Sequence, residues 1–207
     1  MGPYKHKFLR EFNKYLNFIN SKYSLPFSQR KTVLDAACAY SKFTHLFEDD
    51  FFVGIDFNRD AIEFSRKKYP DQNFLFLDLT KDKIPRPVDL GRHELGYDIV
   101  ITTHTLSHID SKFHNQVINK LVDVTNEDGF MIFHINTIYS KTINHIDSKA
   151  LILKKVYYRG WISDVMEKNF TNSFHGSLFG VLLNNLLSYI DFGDRDCVML
   201  CKPRKNT

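Results

Sequence analysis

Cysteine is scarce in this sequence, with three residues in 207: Cys38, Cys197 and Cys201. An odd, low number of cysteines in a chain of this length fits free thiols in a reducing compartment better than a disulfide framework. We therefore predict a cytoplasmic protein without disulfide bonds. Cys197 and Cys201 share one face of the last predicted strand, and we interpret them as small core residues.

Long apolar stretches are also absent. The most apolar helical segment, residues 178–187, is interrupted by Asn184 and Asn185 and is too short to span a membrane. The first residues contain no apolar run and no small-residue cleavage site, so we expect no secretion signal. The motif Gly-x-Gly-x-x-Gly occurs nowhere, which counts against a nicotinamide-dependent dehydrogenase.

The charge balance is only mildly basic. The 28 Lys and Arg residues against 24 Asp and Glu give a formal net charge of +4. Nucleic-acid binders usually concentrate basic residues on one face, so this balance permits RNA as a partner without favouring it. The hydrophobic share of 43% and the charged share of 25% are ordinary for a globular protein and exclude wholesale disorder. The length suits a single domain over residues 1–207.

Short apolar runs alternate with amphipathic segments along the first two thirds of the chain. The runs predict five buried strands, at Thr32–Leu34, Phe51–Ile55, Phe74–Leu77, Tyr97–Ile101 and Phe130–Phe133. The amphipathic segments predict helices at Phe8–Ile19, Lys42–Phe47, Arg59–Tyr69 and Phe113–Val124. Continuous apolar strands that alternate with helices are typical of an α/β fold, in which a parallel sheet is covered on both faces.

The last third of the chain does not continue this alternation of strands and helices. Leu151–Tyr158 is compatible with either a strand or a helix. A helix is predicted over Ser177–Leu187, followed by apolar runs at Tyr189–Phe192 and Cys197–Leu200 around a turn at Gly193–Asp194. This ending predicts a helix and an antiparallel hairpin added to the sheet.

Acidic residues end three of the predicted strands. Asp35 follows the first, Asp56 the second and Asp78 the third. In open parallel sheets, ligands bind beyond the carboxyl ends of the strands. A carboxylate after the second strand is the usual acceptor for a ribose diol, because its two oxygens match two adjacent hydroxyls. Asp56 could instead cap the next helix, but Asn58 already suits that role.

Five segments, in order, resemble the motifs of class I S-adenosylmethionine-dependent methyltransferases. Residues 33–41, VLDAACAYS, are similar to the first motif, an apolar strand followed by Asp and a loop of small residues. Residues 53–56, VGID, and 76–79, FLDL, resemble the ribose and adenine motifs. Residues 97–109, YDIVITTHTLSHI, resemble the fourth motif, and 126–132, NEDGFMI, stand where the family has Lys-Pro-Gly-Gly before strand five.

This resemblance implies a doubly wound, mostly parallel seven-stranded sheet with helices on both faces and a C-terminal antiparallel hairpin. It implies S-adenosylmethionine as cofactor. The implied cofactor-binding residues lie at strand ends and in the loops that follow: Asp35, Ala37, Ala39, Asp56, Phe57, Asp78, Leu79 and Thr102. The family generally has Gly where this chain has Ala39 and Ser41, and a Cβ obstructs backbone conformations that Gly permits.

Three histidines follow the fourth and fifth strands and are candidates for contact with the methyl acceptor. We predict His104 and His134 as catalytic bases, since the unperturbed pKa of His lies near working pH, and His108 as a substrate-binding residue. The alternatives are that His108 packs on the sheet and that His134 caps a strand end. His104 and His108 have the i, i+4 spacing of a metal pair, but no third ligand is apparent, so we expect no metal.

Residues 139–175 are the predicted acceptor-binding insertion, and residues 1–30 a helical lid. Tyr158, Arg159 and Trp161 belong to the densest aromatic and basic cluster of that insertion, in which Arg159 could pair a phosphate or carboxylate. The alternative is that these rings fill the core of a small subdomain.

Three functions remain open. The first is methyl transfer to an oxygen or nitrogen of a small molecule, favoured by the modest charge. The second is RNA modification; Thr102-Thr103-His104-Thr105 replaces the Asn/Asp-Pro-Pro-aromatic stretch of base-amino methyltransferases and counts against adenine amino methylation. The third is a nucleoside-binding regulatory protein without catalysis, suggested by Ala39 and Ser41. The sequence does not indicate an oligomeric state.

Overall fold

The computed structural model describes residues 3–22, 30–136, 140–159 and 195–204. The helices are α1 Pro3–Lys22, α2 Arg59–Lys68, α3 His114–Asp123 and α4 Ser140–Lys149. The strands are β1 Thr32–Ala36, β2 Phe51–Asp56, β3 Asn73–Phe76, β4 Tyr97–Thr103, β5 Thr125–Asn136, β6 Ala150–Arg159 and β7 Arg195–Pro203.

The seven strands form one sheet in the order β3-β2-β1-β4-β5-β7-β6. Strands β1 to β5 are parallel, whereas β7 runs antiparallel to both β5 and β6. The strand order reverses between β1 and β4, so the loops that follow these two strands diverge and leave a crevice at the carboxyl edge of the sheet. The predicted fold class is therefore confirmed.

Two hydrophobic cores cover the two faces of the sheet. On one face α1 packs against β4, β5 and β7 through side chains such as Phe12 and Ile19, which contact the side of the sheet that includes Ile101. On the other face α3 and α4 pack on the alternate strand residues, among them Val100. Because side chains alternate along a strand, the apolar runs in β4 and β5 supply both cores.

The three cysteines are free, as predicted, and all three are buried. Cys197 and Cys201 belong to the core under α3 and α4. Cys38 lies beside Gly54, where an added Cβ would meet the Phe74 ring at 2.6 Å and Cys38 Sγ at 2.9 Å. Gly54 thus permits β2 to lie close beneath the loop that follows β1.

Two local predictions need correction. The helix predicted over Lys42–Phe47 is wrong; a 3-10 turn, Thr44–Leu46, replaces it, because the short connection to β2 must bury both Phe43 and Phe47. β5 begins at Thr125 and not at the predicted start, Phe130, and a register shift against β4 takes up the extra residues.

The undecided segment Leu151–Tyr158 is a strand, and it pairs with β7. Its preceding residues form α4, so the first part of the predicted insertion belongs to the main sheet and its cover. The predicted helix Ser177–Leu187 and run Tyr189–Phe192 lie outside the described residues. Among the described helices, none combines the length and the hydropathy that a membrane span requires.

Candidate functional site

A cavity of about 590 Å³ lies at the carboxyl ends of β1, β2, β3 and β4. Its wall is formed by the last residues of these strands and the segments that follow them: Asp35, Ala37–Ala39, Lys42 and Phe43 at β1, Asp56–Asn58 at β2, Leu77–Leu79 at β3, and Thr103–Thr105, His108 and Ile109 at β4. This is the crevice that the reversal of strand order predicts.

The loop after β1 adopts backbone conformations that favour glycine. Ala37, Ala39 and Ser41 have φ values of 63°, 45° and 58°, in the left-handed region. A Cβ in this region costs about 1–2 kcal/mol per residue. The small residues of the first motif therefore keep the glycine-type loop shape at a cost in strain.

Hydrogen bonds to neighbouring segments hold this strained loop. The amide of Cys38 donates to the carbonyl of Ile55 at 3.0 Å, and the amide of Ala39 donates to Asp56 Oδ2 at 2.8 Å. The hydroxyls of Ser41 and Ser65 also hydrogen-bond each other. The loop is thus fastened to β2 and α2, which offsets part of its strain.

Asp56 both organises the loop and faces the cavity. Its second oxygen, Oδ1, accepts the amide of Asn58 at 2.8 Å. Asn58 in turn caps α2, its side chain accepting the amide of Ala61 at 3.2 Å, as predicted. Each carboxylate oxygen of Asp56 has two lone pairs, so one protein donor on each leaves capacity for a further donor.

The segment after β3 presents a fixed carboxylate. Asp78 accepts the Thr80 hydroxyl at 2.6 Å and the Thr80 amide at 2.9 Å, and Lys81 Nζ lies 2.9 Å away. The Thr80 hydroxyl, with these other donors, lowers the pKa of Asp78 to about 2, so the carboxylate stays ionised. Leu79 lines the cavity beside it, and Phe57 stands 67% exposed at the rim.

Asp35 is the deepest acid in the cavity wall. It is 1% exposed, and its Oδ2 has no hydrogen-bond partner among the described residues. Burial raises the pKa of Asp35 to about 7, which the nearby Lys42 ammonium partly opposes. Because native structures rarely leave a buried carboxylate oxygen unpartnered, this atom marks a place for a ligand donor.

The two threonines at the end of β4 face opposite sides of the sheet. Thr102 is buried and is absent from the cavity wall, whereas its neighbour Thr103 lines the cavity. The cause is the two-residue repeat of a strand. Any contact of Thr102 with a ligand would therefore pass through its backbone.

A cluster of three titratable residues adjoins the cavity. His104 lines the wall with a left-handed φ of 59°, and its ring lies 3.9 Å, centroid to centroid, from the ring of His134. His134 is 2% exposed, stacks on Phe8 of α1 at 4.7 Å, and places Nε2 3.7 Å from Asp196 Oδ2. His134 is not among the residues that line the cavity, whereas His108 lines it and is exposed.

Burial governs the protonation of this cluster. It lowers the pKa of His104 to about 4 and of His134 to about 2, and the Lys42 charge acts in the same direction. Burial raises the pKa of Asp196 to about 6. At neutral pH the contact between His134 and Asp196 therefore joins a neutral imidazole to a carboxylate, not two ions.

The predicted acceptor-binding residues are only partly accounted for. The backbones of Tyr158 and Arg159 end the edge strand β6. Trp161 lies outside the described residues. The lid predicted over residues 1–30 includes α1, whose buried face packs into the core of the sheet.

A family model described as a methyltransferase domain matches residues 27–175 of this chain. The chain belongs to this methyltransferase family. A curated relative named "Putative methyltransferase 235L", from Invertebrate iridescent virus 6, is 28% identical over 109 residues. That match covers 49% of this chain and 38% of the relative.

Solved structures of methyltransferases share the fold. The N-methyltransferase NodS from Bradyrhizobium japonicum, in complex with S-adenosyl-L-homocysteine, gives a TM-score of 0.62 at 11% identity, over 99% of this chain and 89% of that one. A TehB-like S-adenosylmethionine-dependent methyltransferase from Corynebacterium glutamicum gives 0.58 at 9% identity, over 94% and 97%. The family, the fold and the cofactor that the sequence resemblance implied are confirmed.

The cavity fits S-adenosylmethionine. The unpartnered Oδ2 of Asp35 suits the ammonium group of the cofactor's methionine part, and Lys42 suits its carboxylate. Asp56 suits the ribose hydroxyls. Lys42 was not predicted from the sequence, although a basic residue directly after the small-residue loop was an available signal. Asp196 was not predicted either, since it lies far along the chain from His134 and has no local signal.

Proposed function

We propose that this chain transfers a methyl group from S-adenosylmethionine to an oxygen or nitrogen of a small-molecule acceptor. The observation that supports it is the set of acids at the ends of β1, β2 and β3, all in the wall of one cavity: Asp35, Asp56 and Asp78. This is the place and the donor-acceptor pattern that a nucleoside with a charged tail needs. When bound, the cofactor supplies an activated methyl group, so the protein contributes mainly positioning.

The nucleoside part is assigned to the segments after β2 and β3. Asp56 accepts the ribose hydroxyls while continuing to hold the loop through Ala39. Asp78 accepts the exocyclic amine of adenine, which suits a carboxylate that is ionised at all working pH values. The backbone of Leu79 and the exposed ring of Phe57 flank the base.

The methionine part is assigned to the segment after β1. Asp35 accepts its ammonium group and Lys42 pairs with its carboxylate, while Ala37 brings the loop backbone close to it. Two opposite charges on one short segment match the two opposite charges of an amino acid. This assignment also satisfies Asp35 Oδ2.

The acceptor is assigned to the segment after β4. His104 presents an imidazole to the cavity and accepts a hydrogen bond from the acceptor group, and His134 fixes the His104 ring through their contact. His108 contacts the acceptor at the rim. Tyr158, Arg159 and Trp161 stay predictions for acceptor recognition, as does the cytoplasmic location.

The test is a calorimetric titration with S-adenosylmethionine, S-adenosylhomocysteine and NAD. We expect micromolar binding of the first two ligands and none of NAD. An acceptor screen would follow, with small phenols, amines and carboxylates compared against RNA. Absence of detectable binding of S-adenosylmethionine and S-adenosylhomocysteine would refute the proposal. Methyl transfer to RNA alone would replace the small-molecule acceptor.

A further inference from the structure

Three side chains of types that can bind a metal ion lie close together where β4, β5 and β7 are adjacent. His104 directly follows β4, His134 is in β5 opposite Thr103, and Asp196 is in β7 opposite Asn136. In this register His134 and Asp196 are diagonal neighbours on the face that α1 covers. One ring nitrogen of each His and one carboxylate oxygen all lie within 4.8 Å of one another.

We propose that His104, His134 and Asp196 form a binding site for a first-row divalent transition ion of the Zn²⁺ or Fe²⁺ class. Two imidazoles and one carboxylate are a donor set that such ions take, whereas Mg²⁺ and Ca²⁺ prefer oxygen donors alone. Three protein ligands leave a coordination position open, as in catalytic sites. This inference goes beyond methyl transfer and can hold or fail independently of it.

The geometry needs only a small adjustment. Ligands bound at about 2.0–2.1 Å in a tetrahedron lie about 3.3 Å apart. The His134 Nε2 to Asp196 Oδ2 distance is already 3.7 Å. The three donor atoms now lie within 4.8 Å of one another. Side-chain rotations that move these atoms by about 1 Å would bring them to bonding positions.

The residues around the three side chains determine from which side a bound ion can be reached. Phe8 stacks on His134 and is itself buried, so α1 covers the inner side. His104 lies in the cavity wall, so the open position faces the cavity. A bound ion would thus be reached by water or by an oxygen or nitrogen of an acceptor, and His108, also in the wall, is outside the ligand set.

One nearby charge opposes a cation here. Lys42 Nζ lies 4.6 Å from the centre of the Phe8 ring, which in turn stacks on His134. The ammonium lowers the proton affinity of both imidazoles, and it would repel a divalent ion for the same reason. The Asp196 carboxylate supplies the compensating negative charge within the ligand set.

The experiment is a titration of the full chain, stripped with chelator, with Zn²⁺ in competition with a chelating dye. Metal content after dialysis is measured in parallel. The variants are Asp196→Asn, which keeps the side-chain shape, and His104→Asn, because Asn tolerates the left-handed backbone. His108→Asn is the matched control, since it removes a cavity-wall imidazole outside the ligand set. Circular dichroism checks that each variant is folded.

We expect one Zn²⁺ per chain, with affinity lowered about tenfold or more in Asp196→Asn and His104→Asn and unchanged in His108→Asn. Lys42→Met should bind Zn²⁺ several-fold more tightly. No stoichiometric Zn²⁺ in the parent chain, or equal affinity in all folded variants, would overturn the site. S-adenosylhomocysteine binding, measured separately, reports on the proposed function, so either proposal can fail alone.

Discussion

The loop after β1 and the histidine cluster after β4 adjoin one cavity, but different forces hold them. The loop consists of small residues in left-handed conformations, fastened by hydrogen bonds to Asp56 and to the backbone of β2. The cluster of His104, His134 and Asp196 is held by burial and by the stacked ring of Phe8. Hydrogen bonds hold the loop in its conformation, whereas apolar packing holds the histidine cluster.

This difference has a chemical consequence. In the loop region the carboxylates retain hydrogen-bonding capacity toward a polar nucleoside ligand. In the cluster, burial keeps both imidazoles neutral. One part of the cavity thus suits a charged, hydroxyl-rich ligand, and the other suits a group that accepts a lone pair from a neutral imidazole.

The pH dependence of stability should carry the signature of Asp35. Its pKa is about 7 in the folded chain against about 3.9 unfolded. The folded state therefore holds the proton more tightly, and the stability this confers is complete below about pH 4 and lost as pH rises through 7. Asp35→Asn should flatten this decline, by up to about 4 kcal/mol between pH 4 and 8.

Chemical denaturation at several pH values measures this effect. The control is Asp60→Asn, since Asp60 is an exposed acid in the first turn of α2. This variant should show the same pH dependence of stability as the parent chain. An unchanged profile in Asp35→Asn would show that Asp35 is not the group responsible.

Asp56→Ala should weaken S-adenosylhomocysteine binding at least tenfold. It removes hydrogen bonds to ribose worth about 1.5–3 kcal/mol and leaves the amides of Ala39 and Asn58 without their carboxylate. Calorimetric titration measures the affinity, and Asp60→Ala is the matched control. Unchanged affinity in Asp56→Ala would refute the ribose assignment.

Ala39→Gly should stabilise the fold by about 1 kcal/mol, because glycine adopts the left-handed φ without strain. Affinity for S-adenosylhomocysteine should be equal or higher. The same exchange at Ala61, within α2, should destabilise the fold by about 1 kcal/mol or more. Thermal unfolding of both variants measures the two opposite changes in stability. A tenfold loss of affinity in Ala39→Gly would contradict the assigned loop geometry.

Lys42→Met should have the smallest effect on cofactor binding, since Lys42 is exposed. Loss of one solvent-exposed ion pair, worth about 0.5–1 kcal/mol, predicts a two- to fivefold weaker affinity for S-adenosylhomocysteine. 5′-Methylthioadenosine, which lacks the carboxylate, should bind the variant and the parent equally. Equal losses for both ligands would place Lys42 near the nucleoside instead.

Local sequence was sufficient for the five parallel strands, β1 to β5, and for the position of three acids in the cavity wall. Each acid stands directly after its own apolar strand, and parallel strands bring their carboxyl ends to one edge whatever their order. The position of Asp35, Asp56 and Asp78 at one edge of the sheet therefore followed from the sequence, whereas their roles in cofactor binding stay predictions. The Asn58 cap and the free cysteines followed from equally short patterns.

The tertiary structure alone decided the rest. The pairing of β7 beside β5 places Asp196 next to His134, a contact that no local pattern encodes. The strand identity of residues 150–159 likewise depended on an antiparallel partner late in the chain. The lowered pKa of His134 depends on burial, to which Phe8 of α1 contributes from far along the chain. Such contacts are non-local, and their energies come from packing and desolvation, which no single segment contains.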